Sequence, residues 1–291
     1  MAVIATGFFD GVHLGHRLVI DTLLRAARER GEQSVIVTFW PHPRTVLQKD
    51  ARELRLLSSL AEKRAMLSAL GVDRVEVVPF SREFSRLTAE EYLREWVVGR
   101  LGGTAVVLGY DNRMGSDGLA HDAIVPLAQS LDLDVVECDA VGTISSTKIR
   151  AALDRGEVVE AEAMLGYRYG LHGVVVAGNR LGRTIGYPTA NMQLYEPLKL
   201  VPANGVYLVE VETLGGHYYG MTNVGVRPTV SGAGVRTIET HIFDFDELIY
   251  GLDIRVRFIA KIRDERRFDS LKALRDQLAA DEGMCRGMLT K

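Results

Sequence analysis

The sequence predicts two domains of different class: an α/β half built on a doubly wound parallel sheet, then an all-β half that closes with one amphipathic helix. Three observations predict this. Through about residue 155, short β-branched runs alternate with helical stretches, the pattern of parallel strands joined by crossover helices. After about residue 170 the texture changes to glycine-punctuated apolar runs, which suit an antiparallel sandwich or barrel. Finally, 291 residues exceed the usual size of a single domain.

In chain order, the first-half strands are expected at Val3–Thr6, Ser34–Phe39, Arg74–Val78, Ala105–Leu108 and Asp134–Glu137. Helices are expected between them at His16–Arg30, Leu60–Leu70, Ala89–Leu101 and Ile124–Ser130, the first two stopping at Gly31 and Gly71 as helix ends often do. Ala151–Arg155 and Val158–Leu165 read as short helices before the change of texture near Gly166 to Gly170. The second-half runs are His172–Ala177, Gly205–Glu212, His217–Val224, Arg236–Phe243 and Asp253–Ile262. Ser270–Ala280 closes the chain with Leu271, Leu274 and Leu278 on one helical face, expected to pack on the β half.

Composition narrows the class of function. A hydrophobic fraction of 47% with 25% charged residues is that of an ordinary globular protein. A formal net charge of −3 supplies no bulk attraction to nucleic acid or to an anionic membrane, so neither is expected as a partner. No segment reaches the roughly 18 apolar residues of a membrane span. Cys138 and Cys285 stand in no metal-ligand or CxxC spacing, which suits incidental thiols in a reducing cytoplasm. The sequence leaves the oligomeric state open.

The chemistry begins in the first turn. Gly7-Phe8-Phe9-Asp10-Gly11-Val12-His13-Leu14-Gly15-His16 follows an apolar strand and sets two histidines around a glycine, similar to the HxGH arrangement of nucleotidylyltransferases. A glycine-rich turn entering a helix presents backbone N–H groups to a polyphosphate, and two imidazoles can donate to oxygens that gain charge as a phosphate is attacked. Ile144-Ser145-Ser146-Thr147-Lys148-Ile149-Arg150 is a second candidate phosphate end, with hydroxyls and basic groups at a helix start. Alone, it reads equally well as a Ser/Thr cap beside solvated cations. In the second half, Gly178-Asn179-Arg180-Leu181-Gly182-Arg183-Thr184 departs from the P-loop pattern in spacing and lacks its lysine, which disfavours a P-loop kinase.

Taken together, GFFDGVHLGHR, the TFWPHP run at Thr38–Pro43, ISSTKIR and Gly182-Arg183-Thr184-Ile185-Gly186-Tyr187-Pro188-Thr189-Ala190-Asn191 resemble the prokaryotic bifunctional riboflavin kinase/FAD synthetase family. Gly205-Val206-Tyr207, Asn223-Val224-Gly225 and Glu239-Thr240-His241 extend the resemblance nearly end to end. It implies a Rossmann-like FMN adenylyltransferase domain over 1–157, a linker helix over 158–166, and a six-stranded β-barrel riboflavin kinase domain over 167–291. Riboflavin, FMN, FAD and ATP are the implied ligands, with Mg²⁺ as cofactor.

By the same resemblance His13 and His16 stabilise the phosphate under attack. Gly7, Phe9, Asp10, Gly11 and Gly15 form the nucleotide turn around them, and Ser145, Ser146, Thr147 and Arg150 form the second phosphate motif. His42 and Asp111 fall on the flavin side. In the second half Gly182, Arg183 and Asn223 contact ligand, Thr189 and Asn191 hold Mg²⁺ and the reacting phosphates, and Glu239 is the catalytic base. Asp244, Asp246 and Glu247 read as an exposed acidic turn. Met114 stands where the family often has an aromatic, a weaker stacking surface for a flat ring. The HxGH motif alone would also serve an adenylyltransferase of another phosphorylated cofactor precursor, and the fold alone a flavin-binding regulator without turnover.

Overall fold

The structure is a computed structural model that describes residues 1–47, 54–109, 113–138, 144–178, 181–227 and 235–290. Asp111 therefore lies outside the described residues. The chain divides into two compact units, Met1–Ser146 and Thr147–Lys291.

In the first unit β1 (Ala2–Thr6) is central. It pairs in parallel with β2 (Gln33–Trp40) on one side and β4 (Gly103–Gly109) on the other, with β3 (Arg74–Pro79) beyond β2 and β7 (Asp134–Cys138) beyond β4. The order β3-β2-β1-β4-β7 reverses direction at β1, which places the ligand crevice at its carboxyl end. Strands so placed are covered on both faces and read as unbroken apolar runs. Ala2 and Ile4 pack with Val35, Val37, Leu93 and Val97 on one face, whereas Val3 and Ala5 pack with Ile20, Leu23 and Ala27 on the other. A two-stranded ribbon, β5 (Arg113–Met114) with β6 (Leu119–Ala120), was not expected. Met114 itself packs against the first of these cores.

The helices of this unit are α1 (Leu14–Arg30), α2 (Pro43–Leu47), α3 (Leu60–Ala69), α4 (Ala89–Glu91) and α5 (His121–Ser130). Ser59 and Glu62 close a reciprocal capping box on α3. The expected helix Ala89–Leu101 is α-helical only through Glu91 and continues as a π-helix, Tyr92–Arg100, in which Leu101 N donates to Trp96 O.

The second unit opens with α6 (Ser146–Arg155, its first residue in the first unit) and α7 (Val158–Leu165). The sequence reading places the boundary later, at 157. Ala203 N donates to Leu153 O, tying α6 to the β half. Six strands then form a closed antiparallel barrel: β8 (Gly170–Val176), β9 (Ala190–Leu194), β10 (Gly205–Thr213), β11 (Gly216–Arg227), β12 (Val235–Ile242) and β13 (Asp253–Arg263), in the order β10-β11-β12-β9-β8-β13. A short helix, α8 (Leu181–Thr184), precedes β9. The texture reading did not mark β9, whose five residues make only a short run.

The closing helix α9 spans Leu271–Leu289 and packs on the barrel as expected, through Leu278 of the expected face but not through Leu271. Leu271 is 52% exposed. The buried stripe runs instead through Leu278, Asp281, Cys285 and Leu289, against Val206, Leu208, Met221 and Phe243. Asp281 is fully buried because Arg263 Nε reaches both its oxygens, at 3.1 and 2.9 Å, and Gln277 Nε2 donates a third bond. A carboxylate on that stripe hides it from a search for leucines.

Candidate active sites

The chain leaves β1 through a turn whose backbone is held far from ordinary conformations. Phe9 (φ 50°), Gly11 (φ 80°) and Val12 (φ 38°) all have positive φ. Glycine accepts this freely, whereas a β-branched residue such as Val12 does so only when its surroundings force it, at about 1–3 kcal/mol. The forcing contacts are visible: Phe9 and Val12 are buried in the sheet's core. Asp10 is buried too, and its carboxylate accepts from Leu57 N, Ser58 N and Ser58 Oγ at 3.0–3.2 Å, while Gly11 N donates to Ser58 Oγ. Asp10 therefore braces the turn against the segment before α3.

This turn delivers His13 to the N-cap of α1, where its Nδ1 accepts from His16 N at 3.3 Å. That bond puts the proton of a neutral His13 ring on Nε2, so that nitrogen is a donor. The two imidazoles stack, with centroids 3.6 Å apart and planes 15° apart. Burial first, then His13 and Lys63, hold the His16 imidazole well below its ordinary pKa, so it is neutral near pH 7. Its Nδ1 and the Nε of Arg17 are sealed from solvent with no hydrogen-bond partner among the described residues. Two orphaned polar atoms in the first turn of a helix form a place prepared for a polar ligand. Gly7 and Gly15 flank this arrangement, Gly15 within the first turn of α1.

The second motif meets the first. Ser146 Oγ donates to Asp10 O at 3.0 Å, so the ISSTKIR start and the HxGH turn are joined directly, with Ser145 beside them in sequence. Thr147 is exposed and Arg150 half-buried on α6, in the second unit. His42 packs its ring edge on Phe8, with centroids 4.0 Å apart, and caps Arg44 N through Nδ1.

The barrel site is assembled across strands. Register pairs Asn191 of β9 with Glu239 of β12, and Glu239 with Asn223 of β11, so the three lie in one row and share a face. The neighbouring row, Ala190 and Thr240, lines a cleft together with Gly178, Arg183, Thr189 and Asn191. The approach of Gly178 to Asn191 is so close that a Cβ there would lie 2.3 Å from Asn191 Nδ2. Gly182 sits in α8 against the Tyr187 carbonyl. Glu239 and Asn223 are not among the residues that line this cleft, though Asn191, abreast of them, is.

A riboflavin kinase family profile matches residues 165–289, and an FAD synthetase profile residues 1–152. The bifunctional riboflavin kinase/FMN adenylyltransferase of Bacillus subtilis (strain 168) is 36% identical over 287 residues, spanning 97% of this chain and 90% of that protein. The chain belongs to the bifunctional riboflavin kinase/FMN adenylyltransferase family. The Escherichia coli (strain K12) member is 38% identical over 288 residues, 96% of this chain and 90% of its own. A solved chain from Streptococcus pneumoniae, described as a macrolide-efflux protein, has the same fold with a TM-score of 0.90 at 36% identity, covering 98% of this chain and 93% of its own. No helix among the described residues is long and apolar enough to cross a membrane.

Two sets of site residues escaped the sequence reading. Asp246 and Glu247 are exposed as expected, but they line the barrel cleft with Phe245, Leu248, Ile249 and Tyr250 rather than forming an idle acidic turn. Asp244 points elsewhere and pairs with Arg286. Lys63 is the other omission. It is fully buried under the HxGH turn, and its signal was available, since position 63 falls between Leu60 and Leu67 on the apolar stripe of α3.

Proposed function

We propose that this chain phosphorylates riboflavin to FMN and adenylylates FMN to FAD plus pyrophosphate, with ATP the donor in both reactions. The observation that carries this reading is the coexistence of a braced HxGH turn with orphaned polar atoms in one unit and the Asn191–Glu239–Asn223 row in the other. Adenylyl transfer belongs to residues 1–157 and kinase chemistry to 167–291, with 158–166 between them.

In adenylyl transfer His13 and neutral His16 donate to α-phosphate oxygens as charge grows on them, and the N–H groups of the turn and of α1 hold the polyphosphate. Ser145, Ser146, Thr147 and Arg150 supply further phosphate contacts, the arginine through its planar fork. Gly7, Phe9 and Gly11 shape the turn; His42, with Asp111, serves the flavin side. In the kinase, Glu239 accepts the proton of the riboflavin 5′-hydroxyl as it attacks the γ-phosphate. Gly182, Arg183 and Asn223 orient the ligands.

Mg²⁺ fits the barrel cleft. No three His, Cys, Asp or Glu among the described residues gather as a cage, but an ion that keeps water and phosphate in its shell needs only one or two protein oxygens. The Thr189 hydroxyl and the Asn191 amide provide them in a recess that a Cβ at Gly178 would fill. When bound, the ion neutralises charge on the transferred phosphoryl group. The two isolated, buried thiols suit the cytoplasm.

Incubation of the protein with riboflavin, ATP and Mg²⁺, followed by chromatography, tests the reading. FMN and then FAD are expected. FAD only from supplied FMN would reduce the chain to an adenylyltransferase, and neither product would leave a flavin-binding protein without turnover.

A further inference from the structure

Lys63 is spent in a way that packing does not explain. Its stem fills the apolar stripe of α3, where a methionine would do so without burying a charge. Instead its Nζ, fully buried, donates to Phe8 O at 2.7 Å and to Thr38 Oγ1 at 3.1 Å, and stands 3.9 Å from the centre of the Phe8 ring. Thr38 Oγ1 donates to the same carbonyl at 3.2 Å. The Phe8 carbonyl is thus gripped by a helix and a strand at the last residue before φ turns positive at Phe9.

We propose that Lys63 is a positioning residue for adenylyl transfer: by fixing the Phe8 carbonyl it holds the strained turn that sets His13 and His16 against the α-phosphate. The inference rests on reading those histidines as the phosphate-stabilising pair. The charged or titratable groups acting on it are Asp10 from the turn and His16 from α1; Glu62, next to it on α3, is engaged in the capping box with Ser59. Burial lowers the Lys63 ammonium to about 8, with Asp10 opposing the fall. Its charge in turn helps to keep His16 neutral. A residue that weakens the fold at neutral pH while ordering a site belongs to function rather than packing.

The test uses the full chain and its two separable reactions. Lys63→Met should lower kcat for FAD formation from FMN by about 10- to 100-fold, leave FMN formation from riboflavin at the parental rate, and melt no lower than the parent. The parent should lose FAD formation as pH rises past about 8, where the ammonium gives up its proton. Lys63→Met should lack that alkaline limb. Thr38→Val, which removes an acceptor that favours the ammonium, should move it to lower pH. A parental FAD-forming kcat in Lys63→Met overturns the proposal, as does an alkaline limb unmoved in both variants. If Lys63→Met does not fold, Thr38→Val decides alone. Retention of FAD formation by His13→Ala and His16→Ala would instead sink the underlying site reading.

Discussion

The two phosphate-handling regions of this molecule solve the same problem with opposite architecture. In the first unit the candidate site is one turn: β1 ends, seven residues reorganise the backbone, and α1 begins with His13 at its cap. In the barrel the proposed reacting row is made by register, with Asn191, Asn223 and Glu239 brought abreast from three strands. The contiguous site depends on local strain held by packing. The distributed one depends on long-range pairing and on a helix clamped from the far end of the chain. Each should therefore fail in its own way.

The sharpest separation is expected at the distributed site. Glu239→Gln keeps the shape but cannot accept a proton, so FMN formation should fall by about 10²–10⁴ while FAD formation from supplied FMN continues. Equal loss of both would dissolve the division. Next comes its mirror image: His13→Ala or His16→Ala should lower FAD formation by about 10²–10³ through loss of one donor, with FMN formation intact. Unchanged FAD synthesis in both variants would remove the turn from the chemistry. A smaller effect, on stability, probes the clamp. Asp281→Asn leaves Arg263 beside a neutral partner, and breaking a buried pair costs about 3–5 kcal/mol. FMN formation should then disappear at a temperature where FAD formation survives, and a common melting point would show that the units do not unfold separately.

This contrast also explains what could be read without coordinates. The α/β half was legible strand by strand because its sheet is covered on both faces, and such strands are written as plain apolar runs like Ala2–Ala5 and Val35–Val37. The HxGH turn was legible because its residues are neighbours in sequence. What stayed hidden was pairwise information. That Glu239 stands between Asn191 and Asn223 is a fact of register, which the chain does not spell locally. Asp246 and Glu247 looked like solvent-facing polarity, since exposed and cleft-lining carboxylates are written with the same residues. Charges placed on apolar stripes misled in one direction only: Lys63 and Asp281 occupy core positions that a search for hydrophobic faces passes over. Leu271 was the converse, an apolar residue left in water.

The two cysteines fall one to each unit, Cys138 at the end of β7 and Cys285 on the buried face of α9, and both are buried. Burial pushes the Cys285 thiol up to about 12, so it holds its proton while the barrel is closed. A thiol reagent then finds it only when α9 lifts away, and the alkylation rate at each cysteine becomes a clock for the opening of its own half. Without engineered labels, its own two thiols can report which of its two machines comes apart first.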